Sequence, residues 1–243
     1  MKKTISVFMA ALNEEAHIQS AIEAALSVFP RFTEQFELLV FNDGSTDQTG
    51  QIADHLARQH SCIRVFHHQR PMGLAQISRE GLEQARYQYL TWFPGDGSIQ
   101  ADAIIPVLEH IGQADIIVAY TANARERPFL RRLYSSGYTR LINTIFGLRM
   151  RYYNGPSVYP VPLLKALPLR SEGHAFFAEW MIRALRMQCS YREVPFRHDP
   201  LTDRYSKSVH WESLFSVLKM VAMLWWDIHI NPGFFNRKIR LER

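Results

Sequence analysis

Over its first 120 residues this chain alternates short runs of β-branched and aromatic apolar residues with longer stretches of helical periodicity. No other feature narrows the fold as much, because a chain that repeats strand then helix buries both elements by winding them on a mostly parallel sheet. The runs predict strands at residues 5–11, 37–41, 63–67, 89–93 and 115–120, with helices near 15–29, 46–59, 73–87 and 102–111. Right-handed crossovers then bring the strand ends at 12–14, 42–45 and 94–97 to one edge of the sheet, where ligands of open α/β sheets bind. The pattern thus gives an α/β fold, with a mixed, mostly parallel sheet flanked by helices.

Beyond Tyr120 the character changes. Arg125, Arg127, Arg131, Arg132 and Arg140 accumulate in a stretch whose spacing predicts a helix over 129–146. Gly155-Pro156 and the prolines Pro160, Pro162 and Pro168 mark loops. A helix near 175–187, a strand at 191–196, a polar loop over 197–208 and a final apolar helix follow. No Gly/Ser/Pro-rich linker divides the chain, so one domain is expected over 1–208, with 209–243 as an amphipathic C-terminal segment.

Composition closes off several classes. With 47% apolar and 21% charged residues among 243, the chain is neither disordered nor collagen-like nor mucin-like. Lys and Arg number 28 against 23 Asp and Glu, a net +5 that suits an anionic partner. Nucleic acid is not the expected one, because the basic residues cluster as arginines in the distal half and no nucleic-acid motif occurs. Cys62 and Cys189 stand alone, which argues against a disulfide framework or zinc ribbon and for reduced thiols in a cytoplasmic setting. The apolar run after Lys3 stops at Asn13-Glu14-Glu15, so it reads as a buried strand rather than a secretion signal. Nowhere does the chain reach the ~18 uninterrupted apolar residues of a membrane span; it can lie on a membrane but is not expected to cross one.

Each turn on the expected edge admits a structural and a chemical role. In Asn42-Asp43-Gly44-Ser45-Thr46-Asp47, Gly44 suits a tight turn and Ser45 or Thr46 a helix cap. A carboxylate at Asp43 is also suited to accept hydrogen bonds from a base N–H or a ribose hydroxyl. Glu14 and Glu15 either complement a helix dipole or face the same ligand.

Taken together, Ala11-Leu12-Asn13-Glu14-Glu15, then Phe41 to Asp47, then Gly73-Leu74-Ala75, then Phe93-Pro94-Gly95-Asp96-Gly97 resemble the inverting glycosyltransferase family 2 in order and spacing. The likeness covers the first ~120 residues and continues more weakly beyond. It implies a GT-A (Rossmann-like) fold with a nucleotide-sugar part over 1–120 and an acceptor part over 121–208. It implies that Ala11, Leu12, Glu14, Asp43 and Gly73 contact the nucleotide sugar. Asp96, as the second carboxylate of an Asp-x-Asp motif, would hold Mg2+ or Mn2+ on the donor diphosphate. The chain departs from the family pattern at three places: Pro94 replaces the first Asp of that motif, Asn42 the first Asp of the earlier turn, and Ala10 the usual Pro. A single carboxylate leaves the metal dependence open.

The distal half resembles polyprenol-phosphate glycosyltransferases of the dolichol-phosphate-mannose-synthase kind, through Ala178-Glu179-Trp180, Glu193-Val194-Pro195 and Arg204-Tyr205-Ser206-Lys207. That likeness implies that Arg204 and Lys207 clamp the donor diphosphate, and that Arg127, Arg131 and Ser135 bind a lipid phosphate. His198 is either a further metal ligand or a surface residue. Catalysis would rest on Asp96 and, for a hydroxyl acceptor, on Glu179 as general base.

In the last helix Trp211, Leu214, Phe215, Leu218, Val221, Ala222 and Trp225 recur at helical spacing. Beyond it, residues 234–240 are aromatic and basic together. Such a segment fits the anionic surface of a membrane, reached from the cytoplasmic side, and fits packing on the domain or on a second copy equally well. The implied activity is transfer of a sugar from a nucleoside-diphosphate sugar to polyprenyl phosphate or another lipid-linked acceptor. A soluble glycan acceptor, or an inactive nucleotide- or membrane-binding module, are the alternatives.

Overall fold

The computed structural model describes residues 3–197 and 211–230, with residues 174 and 211–214 described in backbone only. The chain begins β1 (Thr4–Ala11), α1 (Ile18–Val28), β2 (Gln35–Asn42), α2 (Thr49–Gln59), β3 (Ile63–His67), α3 (Leu74–Gln84) and β4 (Tyr89–Trp92). It continues with α4 (Ile105–Glu109), β5 (Ile116–Thr121), α5 (Phe129–Phe146), β6 (Tyr159–Pro160), α6 (Val161–Lys165), α7 (Phe176–Arg186), β7 (Tyr191–Phe196) and α8 (Trp211–His229). The main sheet runs β3-β2-β1-β4-β6, parallel except for β6. This is the α/β architecture expected from the strand-helix alternation.

Period-two alternation along the strands builds a core on each face of the sheet. Ile5, Val7, Met9 and Ala11 of β1 join Leu38 and Val40 of β2 against Ile18, Ile22 and Ala25 of α1. Phe8, Leu39 and Phe41 enter the opposite core, which collects α3, α5, α7 and part of α8. There α3 lies so close to β1 that a Cβ on Gly81 would meet the Phe8 Cβ at 2.9 Å.

Three elements differ from the pattern. α1 starts at Ile18 rather than near 15, because Asn13 takes a left-handed φ of 56° and the Glu14 carbonyl accepts from His17 N and Ile18 N. The helix expected over 102–111 is broken into a 3-10 turn, Ala101–Ile104, and α4, whose second residue, Pro106, has no N–H to give. β5 leaves the main sheet: the segment carrying Ser157 and Val158 runs between it and β4, bonding Thr91 on one side and Ile117 and Ala119 on the other. β5 pairs instead in parallel with β7.

α8 is apolar on two faces. Met220 and Leu224 are buried in the core, with Val217, Val221 and Ile228 packed against it. Phe215, Leu218, Trp225 and Trp226 are exposed. The single stripe read from the sequence is therefore split: Val221 belongs to the inner face, and the side chains of Trp211 and Leu214 lie outside the description. Among the described residues no helix is long and apolar enough to cross a membrane.

Candidate active site

The ends of β1, β2 and β4 meet on one edge. Asp43 N donates to the Ala11 carbonyl at 2.9 Å, and a Cβ on Gly95 would stand 2.8 Å from the Ala10 carbonyl oxygen. The turns that follow β1 and β2 are laced together by side chain to backbone hydrogen bonds. Asn13 N donates to Ser45 Oγ and Thr46 N returns a bond to Asn13 Oδ1. Glu14 N donates to Thr49 Oγ1, Glu15 N to Asp47 Oδ2, and Gln48 N to Glu15 Oε2. The left-handed Asn13 is tolerable because Asn adopts that conformation more readily than most residues. Much of the motif between Asn13 and Thr49 thus holds the edge in shape.

Asp43 is buried at the centre of this edge and accepts Met72 N at 2.7 Å on Oδ1 and Gly73 N at 2.9 Å on Oδ2. The carboxylate thereby fastens the turn that enters α3, where an anion is favoured by the helix dipole. Gly44 makes this possible: its φ is +74°, and a Cβ there would lie 2.7–2.8 Å from the backbone of Arg70 and Pro71. Asn42 turns away from the edge, accepting Ser45 N and pairing with His67 Nδ1.

Asp96 follows β4 and is exposed, its Oδ1 accepting Ser98 N at 2.9 Å. Among the described residues no cluster of three or more His, Cys, Asp or Glu forms a ready-made cation site. One solvent-facing carboxylate nevertheless fits a hard divalent cation of the kind that takes one or two carboxylates and completes its shell with substrate phosphates and water. Pro94 is buried and adds no ligand.

The distal half is built differently. Arg127, just before α5, is 7% exposed; its guanidinium lies over the Tyr152 ring at 5.8 Å, and its Nε has no hydrogen-bond partner. Among the described residues no carboxylate pairs with it. Arg131 and Ser135, four and eight residues on, share the half-buried face of α5. On its other face Phe129, Leu130, Leu133 and Tyr134 are exposed, and α5 carries no acidic residue.

Glu179 corrects an expectation. It is fully buried on α7 and already accepts from three donors: Arg170 N, whose hydrogen is shared between both oxygens, Ser171 N, and Arg183 Nε at 2.8 Å. Arg183, equally buried, reaches on to Asp227 of α8 at 2.8 Å, and Arg170 meets the same carboxylate. Burial opposes ionisation of Asp227, but the hydrogen bonds and charges of Arg183 and Arg170 outweigh it and hold its pKa below the usual range. Glu179 is the anchor of a buried ion network, fully enclosed and engaged by these donors, an environment that suits a structural anchor rather than a general base facing a substrate. His198, Arg204 and Lys207 lie outside the described residues. Sequence reading missed His68, Glu80, Arg183 and Asp227, which belong to no motif; only the i, i+4 spacing of Glu179 and Arg183 hinted at their pairing.

Comparison with known proteins supplies the wider frame. The model of the family described as glycosyl transferase family 2 matches residues 6–164. A dodecaprenyl-phosphate galacturonate synthase of Rhizobium johnstonii is 26% identical over 184 residues, covering 73% of this chain and 54% of that protein. Glycosyltransferase AglD of Haloferax volcanii is 23% identical over 96% of this chain and 39% of its own length. The chain thus spans only about half or less of these two relatives. Among solved structures, glucosyl-3-phosphoglycerate synthase from Mycobacterium tuberculosis, in complex with Mn2+, UDP and glucosyl-3-phosphoglycerate, superposes with a TM-score of 0.62 at 18% identity, over 90% of this chain and 80% of that one. S. aureus TarS in complex with UDP gives 0.62 at 19% identity, over 95% and 68%. Structural likeness at that identity speaks for the shared GT-A fold, and with the family match spanning residues 6–164, this chain belongs to glycosyl transferase family 2.

Proposed function

We propose that the chain transfers a glycosyl group, with inversion, from a nucleoside-diphosphate sugar to a phosphate-bearing acceptor, and that this acceptor is a polyprenyl phosphate. The observation that carries the acceptor class is Arg127. A guanidinium this deeply buried, with no carboxylate beside it among the described residues, is costly, and an acceptor phosphate held there would supply a counter-charge and a partner for Nε. The lipid nature of the acceptor is supported by the exposed apolar residues of α5, interspersed with its arginines, and by those of α8, features suited to an anionic bilayer surface. The Rhizobium relative, a dodecaprenyl-phosphate galacturonate synthase, points the same way.

In this reading Ala11, Leu12, Glu14, Asp43 and Gly73 form the floor for the nucleotide, and Asp96 holds a divalent cation against the diphosphate. A cation held there would supply charge neutralisation to the departing diphosphate. Arg127, Arg131 and Ser135 orient the acceptor so that its phosphate oxygen attacks the anomeric carbon opposite the leaving group. A new C–O bond forms as the bond to the nucleoside diphosphate breaks, and the diphosphate leaves with the electron pair. Because an acceptor phosphate is already ionised at neutral pH, no base is required; orientation and leaving-group stabilisation do the catalysis.

The test is transfer from labelled UDP- or GDP-sugars, with Mn2+ or Mg2+, to short polyprenyl phosphate in mixed micelles, compared with 3-phosphoglycerate and a neutral oligosaccharide. Lipid-linked product that requires Arg127 supports the reading. Product on the oligosaccharide alone overturns the phosphate acceptor, and product on phosphoglycerate alone overturns the lipid.

A further inference from the structure

One cluster at the donor edge belongs to none of the motifs. His68 follows β3, and its ring lies between two carboxylates, with Nδ1 2.8 Å from Asp43 Oδ1 and Nε2 2.8 Å from Glu80 Oε2. Ionised carboxylates only accept hydrogen bonds, so both contacts are satisfied together only when both ring nitrogens carry hydrogen. A neutral ring would set a lone pair against one of the carboxylates.

The surroundings agree. Phe41 of β2 presents its ring 6.1 Å from that of His68. From α3, Gln76 Nε2 donates to the other oxygen of Glu80, while Arg79 is engaged with Gln76 Oε1 and the Ser171 carbonyl. His67 turns to Asp54 and Asn42. Arg70 lines the same cleft of about 490 Å3 as His68 and Glu80. Burial of the ring disfavours its charge, but the hydrogen bonds and charges of Asp43 and Glu80 outweigh it and raise the pKa above the ordinary 6.5.

We infer that His68 is a positioning residue of the donor site: as an imidazolium strut between Asp43 and Glu80 it sets Asp43 and the turn at 70–73 for the nucleotide, and lets them go as pH rises. The inference rests on the reading of Asp43 as a nucleotide contact. With Met72 N and His68 on Oδ1 and Gly73 N on Oδ2, the carboxylate keeps one acceptor position, on Oδ2. That position suits a single N–H or O–H donor of the ligand, and the three bonds fix its direction. The sign follows from linkage. A histidine whose pKa is raised by folding contributes its full stabilisation below the unfolded value of 6.5 and loses it as pH climbs through the folded value.

The experiment has three readouts on the full chain. NMR titration of the His68 ring should give a midpoint above 6.5, moved downward in Glu80→Gln. Amide hydrogen-exchange protection at Met72 and Gly73 should fall over the same pH range in the native protein and be low throughout in His68→Gln. Affinity for UDP or GDP should fall about tenfold from pH 6.5 to 9 relative to the change in His68→Gln, which cancels the nucleotide's own titration. A ring that titrates at or below 6.5, or protection unaltered in His68→Gln, overturns the inference. Asp43→Asn separates the two levels. If it leaves nucleotide affinity unchanged, the reading of Asp43 fails and takes the donor role of His68 with it. If it weakens binding while His68→Gln does not, only the positioning role fails.

Discussion

The two halves of the molecule hold their polar groups in opposite ways. At the donor edge almost every motif side chain is bonded to a neighbouring backbone, so Asn13, Ser45, Asp47 and Thr49 hold two turns in register before any ligand arrives. In the acceptor half Arg127 is left buried with its Nε unpartnered, and the apolar residues of α5 and α8 face outward. The first arrangement is preorganised: most of its polar groups are tied down and its turns already have their shape. The second is open: among the described residues no carboxylate pairs with Arg127, and apolar side chains face outward.

The largest expected effect concerns Glu179, which the comparison treats as structure within the acceptor half. Glu179→Ala takes one of two carboxylates from the buried Arg183, leaving Asp227 alone to face it, and breaking a buried ion pair costs up to about 3–5 kcal/mol. Thermal unfolding should show a large fall in Tm. An unchanged Tm with lost turnover would instead make Glu179 a base and break the division. Next is Asp96→Asn, expected to lower kcat by about 10²-fold, the scale of losing one charge-stabilising group, with Tm unchanged because the side chain is exposed. A fall in Tm would move Asp96 among the structural residues of its edge.

Arg127→Met sharpens the contrast further. It should raise KM for a phosphate acceptor by about tenfold or more, the value of a hydrogen bond to a charged group, while Tm holds or rises because a buried charge with no carboxylate beside it among the described residues has gone. A destabilised Arg127→Met protein would mean that the arginine is already satisfied within the fold. The smallest effect is at the outer face of α8. Trp225→Ser with Trp226→Ser should change stability by no more than about 0.5 kcal/mol per site and reduce sedimentation with anionic liposomes. Unreduced sedimentation would give that face to a protein partner or leave membrane contact to α5.

How far the sequence could be read follows the same division. Strands β1 to β5 and β7 and helix α5 lie within about two residues of where their apolar runs place them, because period-two and period-3.6 patterns report burial directly. The donor edge was legible through Gly44, Asp43, Gly73 and Asp96, whose residue types carry their geometry. His68 and Glu80 were not, since one histidine and one glutamate in a helix bear no mark until the fold brings both to Asp43. The departure of β5 from the main sheet was hidden as well, because strand pattern gives burial but not pairing partners. In α8 the stripe misled: a helix apolar nearly all round has no unique face, and only packing shows that Val221 turns inward while Ala222 and Trp225 turn out.

The link from Arg183 to Asp227, 44 residues further along the chain, also bears on the order in which the protein is made. A ribosome delivers Glu179 and Arg183 well before their partner, so the second core stays open while the charge within it waits. Met220 and Leu224, which fill that core, arrive in the same late helix. Protease sensitivity of chains stalled on either side of residue 227 would reveal this as a late gain in resistance. The helix that closes the core also brings the outward-facing Trp225 and Trp226, so this second exposed apolar face, unlike that of α5, is added only as the core beneath it closes.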